Sequence, residues 1–307
     1  MFRFIVRRLL QGVLTFFGAT LVVFALMFAG QGDPIQALAG EKPVSASQRA
    51  QLTERFHLND GFFQRYYYFL RDLFSGDILN FNGQPVFDRL GEALLLTSKV
   101  ALIAIIATVL FGVTAGVISA LRRGGIFDNS TLILTLIVIG IPAIVLAPLA
   151  QFIFGIKWKI FPVIYTSDQP VWSLILPGLV LGSLSLATAM RLTRASVGEN
   201  LRADYVRTAT SKGMTRKRVI GVHVLRNSLI PIVTFLGVEL GNLMGGAIVT
   251  EGIFNIPGIG GLLYRAIGVE DGPTVVTIVS VLVIIYIVVN LIVDLLYAVL
   301  DPRIRYE

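Results

Sequence analysis

Six apolar runs, each long enough to cross a bilayer, leave this chain little choice of fold. They cover about Leu9–Ala29, Thr97–Leu121, Thr131–Ile156, Val171–Met190, Leu229–Phe254 and Val275–Leu300. An α-helix rises about 1.5 Å per residue, so roughly 20 apolar residues cross a hydrocarbon layer about 30 Å thick, with every backbone hydrogen bond made inside the segment. At 307 residues and 55% hydrophobic, with a mean hydropathy of +0.77, the chain carries too much apolar surface for one soluble core. The expectation is an all-α polytopic membrane protein. The net charge of +7 does not indicate a nucleic-acid partner, because the Lys and Arg residues sit in a few loops between the apolar runs. With no cysteine there is no disulfide framework and no thiolate chemistry.

Arg3, Arg7 and Arg8 precede the first run, which exceeds a signal-peptide core and has no Ala-x-Ala pattern after it. An uncleaved first span with a cytoplasmic N-terminus follows. Residues 31–95 carry six Lys/Arg against eight Asp/Glu and are read as an ordered external region. A helix is expected near Ser47–Leu58, and the aromatic run Phe62–Phe69 suits a helix lying against headgroups, with an aromatic ligand box as the alternative. Gly112 and Gly116 permit close helix contact in the second span, while Pro142 and Pro148 should bend or interrupt the third. Alternating the six spans places both termini inside, with 16 of the 26 Lys/Arg on that side. The division expected is residues 1–30 as tail and first span, 31–96 as the external region, and 97–307 as a five-span core containing a cytoplasmic loop at 191–228.

That loop holds a charged island, Glu199 to Asn227. An apolar stripe of Val197, Leu201, Tyr205 and Ala209 predicts a short amphipathic helix, with Glu199/Arg202 and Asp204/Arg207 paired three residues apart. Gly213 suits a left-handed C-terminal cap, and Thr215 can cap a second helix whose first turn is Arg216, Lys217 and Arg218. Three cations at a helix N-terminus oppose its dipole, so an anionic neighbour is required there, either a lipid headgroup or a partner protein.

The island resembles the conserved cytoplasmic loop of ATP-binding-cassette importer permeases of the dipeptide/oligopeptide/nickel branch. Glu199, Asp204, Tyr205, Arg207, Thr208, Ala209, Lys212, Gly213, His223, Leu225, Arg226 and Asn227 fall where that branch has them. Thr210 and Ser211 stand where many relatives have Arg-Ala. Gly32-Asp33-Pro34, Gly76-Asp77, Glu251-Gly-Ile-Phe254 with Pro257-Gly-Ile-Gly260, and Asn290–Tyr297 with Asp301-Pro-Arg303 extend the likeness over nearly the whole chain. It departs from the branch at Gly-Asp-Ile-Leu-Asn-Phe81 and at Glu270-Asp-Gly-Pro273.

Within the branch the chain is similar to the first permease subunit of oligopeptide importers. The resemblance implies a type I importer (MetI-like) fold of six transmembrane helices in the bacterial cytoplasmic (inner) membrane. It also implies a second homologous permease, two ATPase subunits holding ATP and Mg, and an extracytoplasmic substrate-binding protein, with membrane lipid around the spans. Glu199, Asp204, Tyr205, Arg207, Ala209, Ser211, Lys212 and Gly213 become candidates for coupling to the ATPase. Peptide is the implied cargo, with nickel or another small solute as alternatives.

No Walker A pattern is present, so no cofactor is expected on this chain, and His57 and His223, far apart and assigned to opposite sides of the membrane, suggest no His-based metal site or catalytic relay. His223 reads as a packing residue of the coupling motif more readily than as a pH sensor. Ser183 and Ser185 have no histidine base, so an enzyme is not expected. Glu239 is the deepest ionisable residue in an expected span and needs a reason to be there. Gly237, Gly241 and Gly245 form a packing ridge, and Glu239 lies about 200° from Gly237, with Asn242 and Gly246 near its own face. Glu239, Asn242 and Gly246 either line a translocation path or contact a neighbouring helix or partner. A secondary transporter using Glu239 as a proton or ion site is the competing class, and the absence of an obvious internal repeat speaks against it.

Overall fold

A computed structural model describes residues 2–28, 35, 44–55, 57–80, 83–269 and 271–300. Gly32-Asp33-Pro34, Glu270 and Asp301-Pro302-Arg303 lie outside them. The described residues form twelve helices and no strand beyond an isolated bridge between Leu79 and Pro85. In order these are α1 (Phe2–Phe28), α2 (Ala46–Arg55), α3 (Phe62–Ser75), α4 (Phe87–Leu121), α5 (Ile126–Gly140), α6 (Ala143–Lys157), α7 (Trp172–Asn200), α8 (Asp204–Ser211), α9 (Arg216–Ser228), α10 (Ile230–Ile253), α11 (Ile259–Gly268) and α12 (Gly272–Leu300). Four helices are long and apolar enough to cross a membrane: most of α1, all of α4 and α7, and α12 through Val293. The pairs α5/α6 and α9/α10 meet that standard only together, bent by 107° and 43°.

The sharper bend follows from Pro142. Ile141 adopts the extended conformation favoured before proline (φ −98°, ψ 117°), which ends α5 and lets Pro142 start α6. Pro148, expected to act similarly, is accommodated inside α6. Only one of the two prolines therefore interrupts the helix.

The chain forms two compact units. One comprises residues 1–97 and 256–288. There, Phe24 of α1 meets Phe62, Tyr66 and Phe69 of α3 at ring separations of 5.5, 5.4 and 5.5 Å. The Thr20 and Tyr66 hydroxyls are 2.7 Å apart. The helix expected over the aromatic run is present, and it packs on α1. One face of α3 packs inward, and only residues such as Phe63 and Tyr67 stay exposed. The start of α2 also moves, because Ser45 forms a capping box with Gln48 through reciprocal bonds of 3.1 and 3.3 Å. A segment expected to be an external loop contains α11, whose Ile259 N–H is capped by Thr97 Oγ1 of α4 at 2.9 Å. Asp271 then caps α12 by accepting the Thr274 hydroxyl at 2.7 Å.

The other unit comprises residues 98–255 with 289–305. It is organised by the crossing of α4 and α7, where glycines let the backbones touch. A Cβ on Gly112 would lie 2.7 Å from the Leu186 carbonyl oxygen, one on Gly116 2.6 Å from that of Met190, and one on Gly182 2.9 Å from that of Ala104. The matched positions rise together along both helices, so α4 and α7 run parallel. Lipid tails are as apolar as leucine, so this crossing depends on close packing rather than on apolar burial alone. The expected ridge on α10 is only partly used: Gly237 abuts Val293 and Gly241 is buried, but Gly245 is exposed with open space beside it.

Gly116→Ala should destabilise the detergent-solubilised chain by about 1–3 kcal/mol, because the new methyl meets backbone that cannot yield. Gly245→Ala should be neutral or slightly stabilising, since a helical alanine is preferred where space is open. Thermal unfolding of both variants checks this, and equal midpoints would contradict the role given to the crossing.

Candidate functional site

The charged island is shaped by what lies beneath it. Ala120, Val197, Val206, Ala209, Val219 and Val224 form a buried cluster, with Val117, Leu201, Met214 and Leu225 packed around it. Its members come from the ends of α4 and α7 and from α8 and α9. In one straight helix Val206 would stand about 13 Å beyond Val197 along the axis, too far for both to join the same cluster. The chain therefore breaks at residues 201–203 after α7, and α8 begins at Asp204. The continuous amphipathic helix expected from Val197 to Ala209 is corrected accordingly. Glu199 belongs to the last turn of α7, Tyr205 is exposed, and its hydroxyl donates to Asn200 Oδ1 across the break.

The remaining candidates occupy definite places. Asp204 sits in the first turn of α8, favourable for an acid, and lies 3.5 Å from Arg207, both well exposed. Ala209 is buried, while Glu199, Ser211, Lys212 and Gly213 are exposed. Gly213 has φ +76° with open space around it, so backbone conformation and not crowding calls for glycine. Thr215 occupies the N-cap of α9, but its side chain makes no capping bond. Arg216, Lys217 and Arg218 are exposed in a first turn without an acidic residue. Among the ion pairs of the described residues, Glu199–Arg202 is not made. The resulting surface is charged outside and apolar inside, and its two short helices are joined by a left-handed glycine.

A second constellation lies along α7 and α10. The Ser185 hydroxyl donates to Glu239 Oε1, and Asn242 Nδ2 donates to Oε2 at 3.3 Å. The structure thus joins Glu239 and Asn242 and adds Ser185, which the sequence considered only as a nucleophile. Gly246 is a turn further along α10, and its surroundings lie outside the described residues. Glu239 is half-buried, whereas Glu251, in the last turn of the same helix, is fully buried.

The strongest polar assembly was missed altogether. Asp128, in the first turn of α5, is fully buried and accepts from Arg194 Nε at 2.6 Å and Nη2 at 2.8 Å. The Gly124 N–H (2.8 Å) and the Ser119 hydroxyl complete its shell. This bidentate pair ties α4, α5 and α7 together immediately beside the cluster that supports α8 and α9. The available signal was a lone acid between two apolar runs, which must find a cation when buried. Among the described residues, no group of three His, Cys, Asp or Glu could hold a metal ion.

Residues 112–306 match the family model described as binding-protein-dependent transport system inner membrane component, and residues 1–118 match its N-terminal companion. The chain is 35% identical to the dipeptide transport system permease protein of Escherichia coli (strain K12). It is 36% identical to the di/tripeptide transport system permease protein of Pseudomonas aeruginosa (strain UCBPP-PA14) and 32% identical to the glutathione transport system permease protein of E. coli (strain K12). Each similarity covers 100% of both chains.

Removing one partner of the Asp128–Arg194 pair strands a buried charge. Asp128→Leu should cost about 3–5 kcal/mol, and Asp128→Leu with Arg194→Leu should recover most of it. Unfolding of the single and double variants in detergent measures the coupling. Additive losses would mean that the two residues do not act as a pair.

Proposed function

Because the chain belongs to the family of binding-protein-dependent transport system inner membrane components, we propose that it is one permease subunit of an ATP-driven importer of short peptides. The observation that carries the cargo class is full-length similarity to permeases named for dipeptides, di/tripeptides and glutathione, whose common chemistry is a short peptide. On this reading α1, α4, the α5/α6 pair, α7, the α9/α10 pair and α12 are six spans with both termini in the cytoplasm. The parallel run of α4 and α7 fits that order, since two spans separated by one other must point the same way.

The charged surface of α8 and α9 would then face the cytoplasm and receive an ATPase subunit. A second permease, a second ATPase and an external binding protein would complete the assembly, with ATP and Mg bound by the ATPases. Chemistry on this chain is conformational: closure of the ATPases moves α8, and the cluster under it transmits the movement to the ends of α4 and α7. Gly213 sets the angle between the two short helices, while Asp204, Arg207, Ser211 and Lys212 form the contact.

Crosslinking tests the docking. In this cysteine-free chain, Ser211→Cys in the assembled importer should crosslink to an ATPase subunit, with an efficiency that changes with nucleotide. Crosslinks only to lipid or to the binding protein, in a complex that still takes up dipeptide, would overturn the topology and the docking together.

Glu239 is assigned to the translocation path, with Ser185 and Asn242 orienting it. Glu239→Gln retains size and hydrogen bonding, so assembly should persist while peptide uptake changes in rate or preference. Unchanged uptake across pH and across peptides of different charge would make Glu239 a structural contact.

A further inference from the structure

The unit formed by residues 1–97 and 256–288 encloses a cavity of about 140 Å³ that the transport reading leaves unused. Its walls are mostly apolar, supplied in part by Phe24, Phe69 and Ile78. Arg65 of α3 also lines it and is only 8% exposed. Its guanidinium carbon lies 5.3 Å from the centre of the Phe28 ring, and its Nε, fully shielded from solvent, has no hydrogen-bond partner. Burial alone acts on this charge, lowering the pKa from the usual arginine value, and no carboxylate offsets it. A ring face attracts the cation but offers no in-plane acceptor to the fork of N–H groups. A buried cation in this state lacks an anion.

The other polar groups narrow the choice. Asp72 lines the cavity but already accepts from Arg71 at 2.8 and 2.9 Å, so it does not serve Arg65. Arg55 and His57 also line the cavity, so opposite Asp72 and Asp77 the remaining charges nearly balance; a multiply charged anion such as phosphate gains no surplus of cations, whereas a single carboxylate on a small apolar body meets the unpartnered Arg65 guanidinium beside apolar walls. We propose that this cavity is a subsite for the C-terminal residue of a short peptide, with Arg65 taking the carboxylate and the aromatic walls taking the side chain. The proposal rests on the peptide reading above and adds a place on this chain that inspects the free carboxylate.

The test uses the complete importer in nanodiscs with Ala-photoleucine, a photoreactive dipeptide, and its C-terminal amide. The acid should label the segment 57–79, unlabelled Ala-Leu should compete, and the amide should label at least about tenfold less. Arg65→Gln should lose the labelling, while Arg65→Lys, which keeps the charge, should retain part of it. Equal labelling by acid and amide, or labelling confined to other segments, overturns the subsite. ATP-driven uptake of Ala-Leu by the same preparation separates the two readings. Uptake without carboxylate-dependent labelling removes the subsite alone, and absence of uptake counts against peptide as the cargo.

Discussion

The contact between the α4 and α7 backbones organises the unit that carries the charged island. In a membrane the gain from burying one apolar side chain against another is small, so helices adhere through the number of close atomic contacts they make. Gly112 and Gly116 on α4, with Gly182 on α7, remove the side chains that would hold the two backbones apart. The ends of these helices thereby come to lie together, and Ala120 and Val197 can share the cluster on which α8 and α9 rest. Without that contact the charged segment would have no apolar bed.

Charge handling follows the same economy. Asp128 is taken fully out of solvent, yet four donors from α4, the following turn and α7 satisfy it. Replacement by well-packed apolar groups could be as stable, so its value lies in specificity: a bidentate pair accepts only one register between α5 and α7. Glu239 is treated differently. Two neutral donors, one of them on an exposed asparagine, leave it half-open and available for interaction. Position within the fold, more than residue type, separates a fully enclosed carboxylate from a half-open one.

The charged island, for which docking is proposed, combines a firm inner side with a loosely held outer one. Its inner residues are valine, alanine and leucine packed against helix ends, and its outer residues are charges whose pairing, as between Asp204 and Arg207, is solvent-exposed and weak. Such solvent-exposed charges can exchange partners at little cost. The left-handed Gly213 sets the turn between α8 and α9 through its backbone conformation, with open space beside it.

The six apolar runs, the glycine cap, the close-packing glycines of α4 and the break before α6 were all legible from residue type and spacing, because each is a local consequence of chain chemistry. Hydrophobic length decides membrane insertion, a positive φ selects glycine, and proline disfavours a helical conformation in the residue before it. What the linear pattern could not decide was partnership. The break at residues 201–203 contains no breaker and exists because Val197 and Val206 must reach one cluster. Half the aromatic run turned inward because Phe24 was there to receive it. Asp128 found Arg194 and Glu239 found Ser185 across 66 and 54 residues of chain. Periodicity reports the face a residue occupies on its own helix, whereas only the packed structure shows what stands opposite that face.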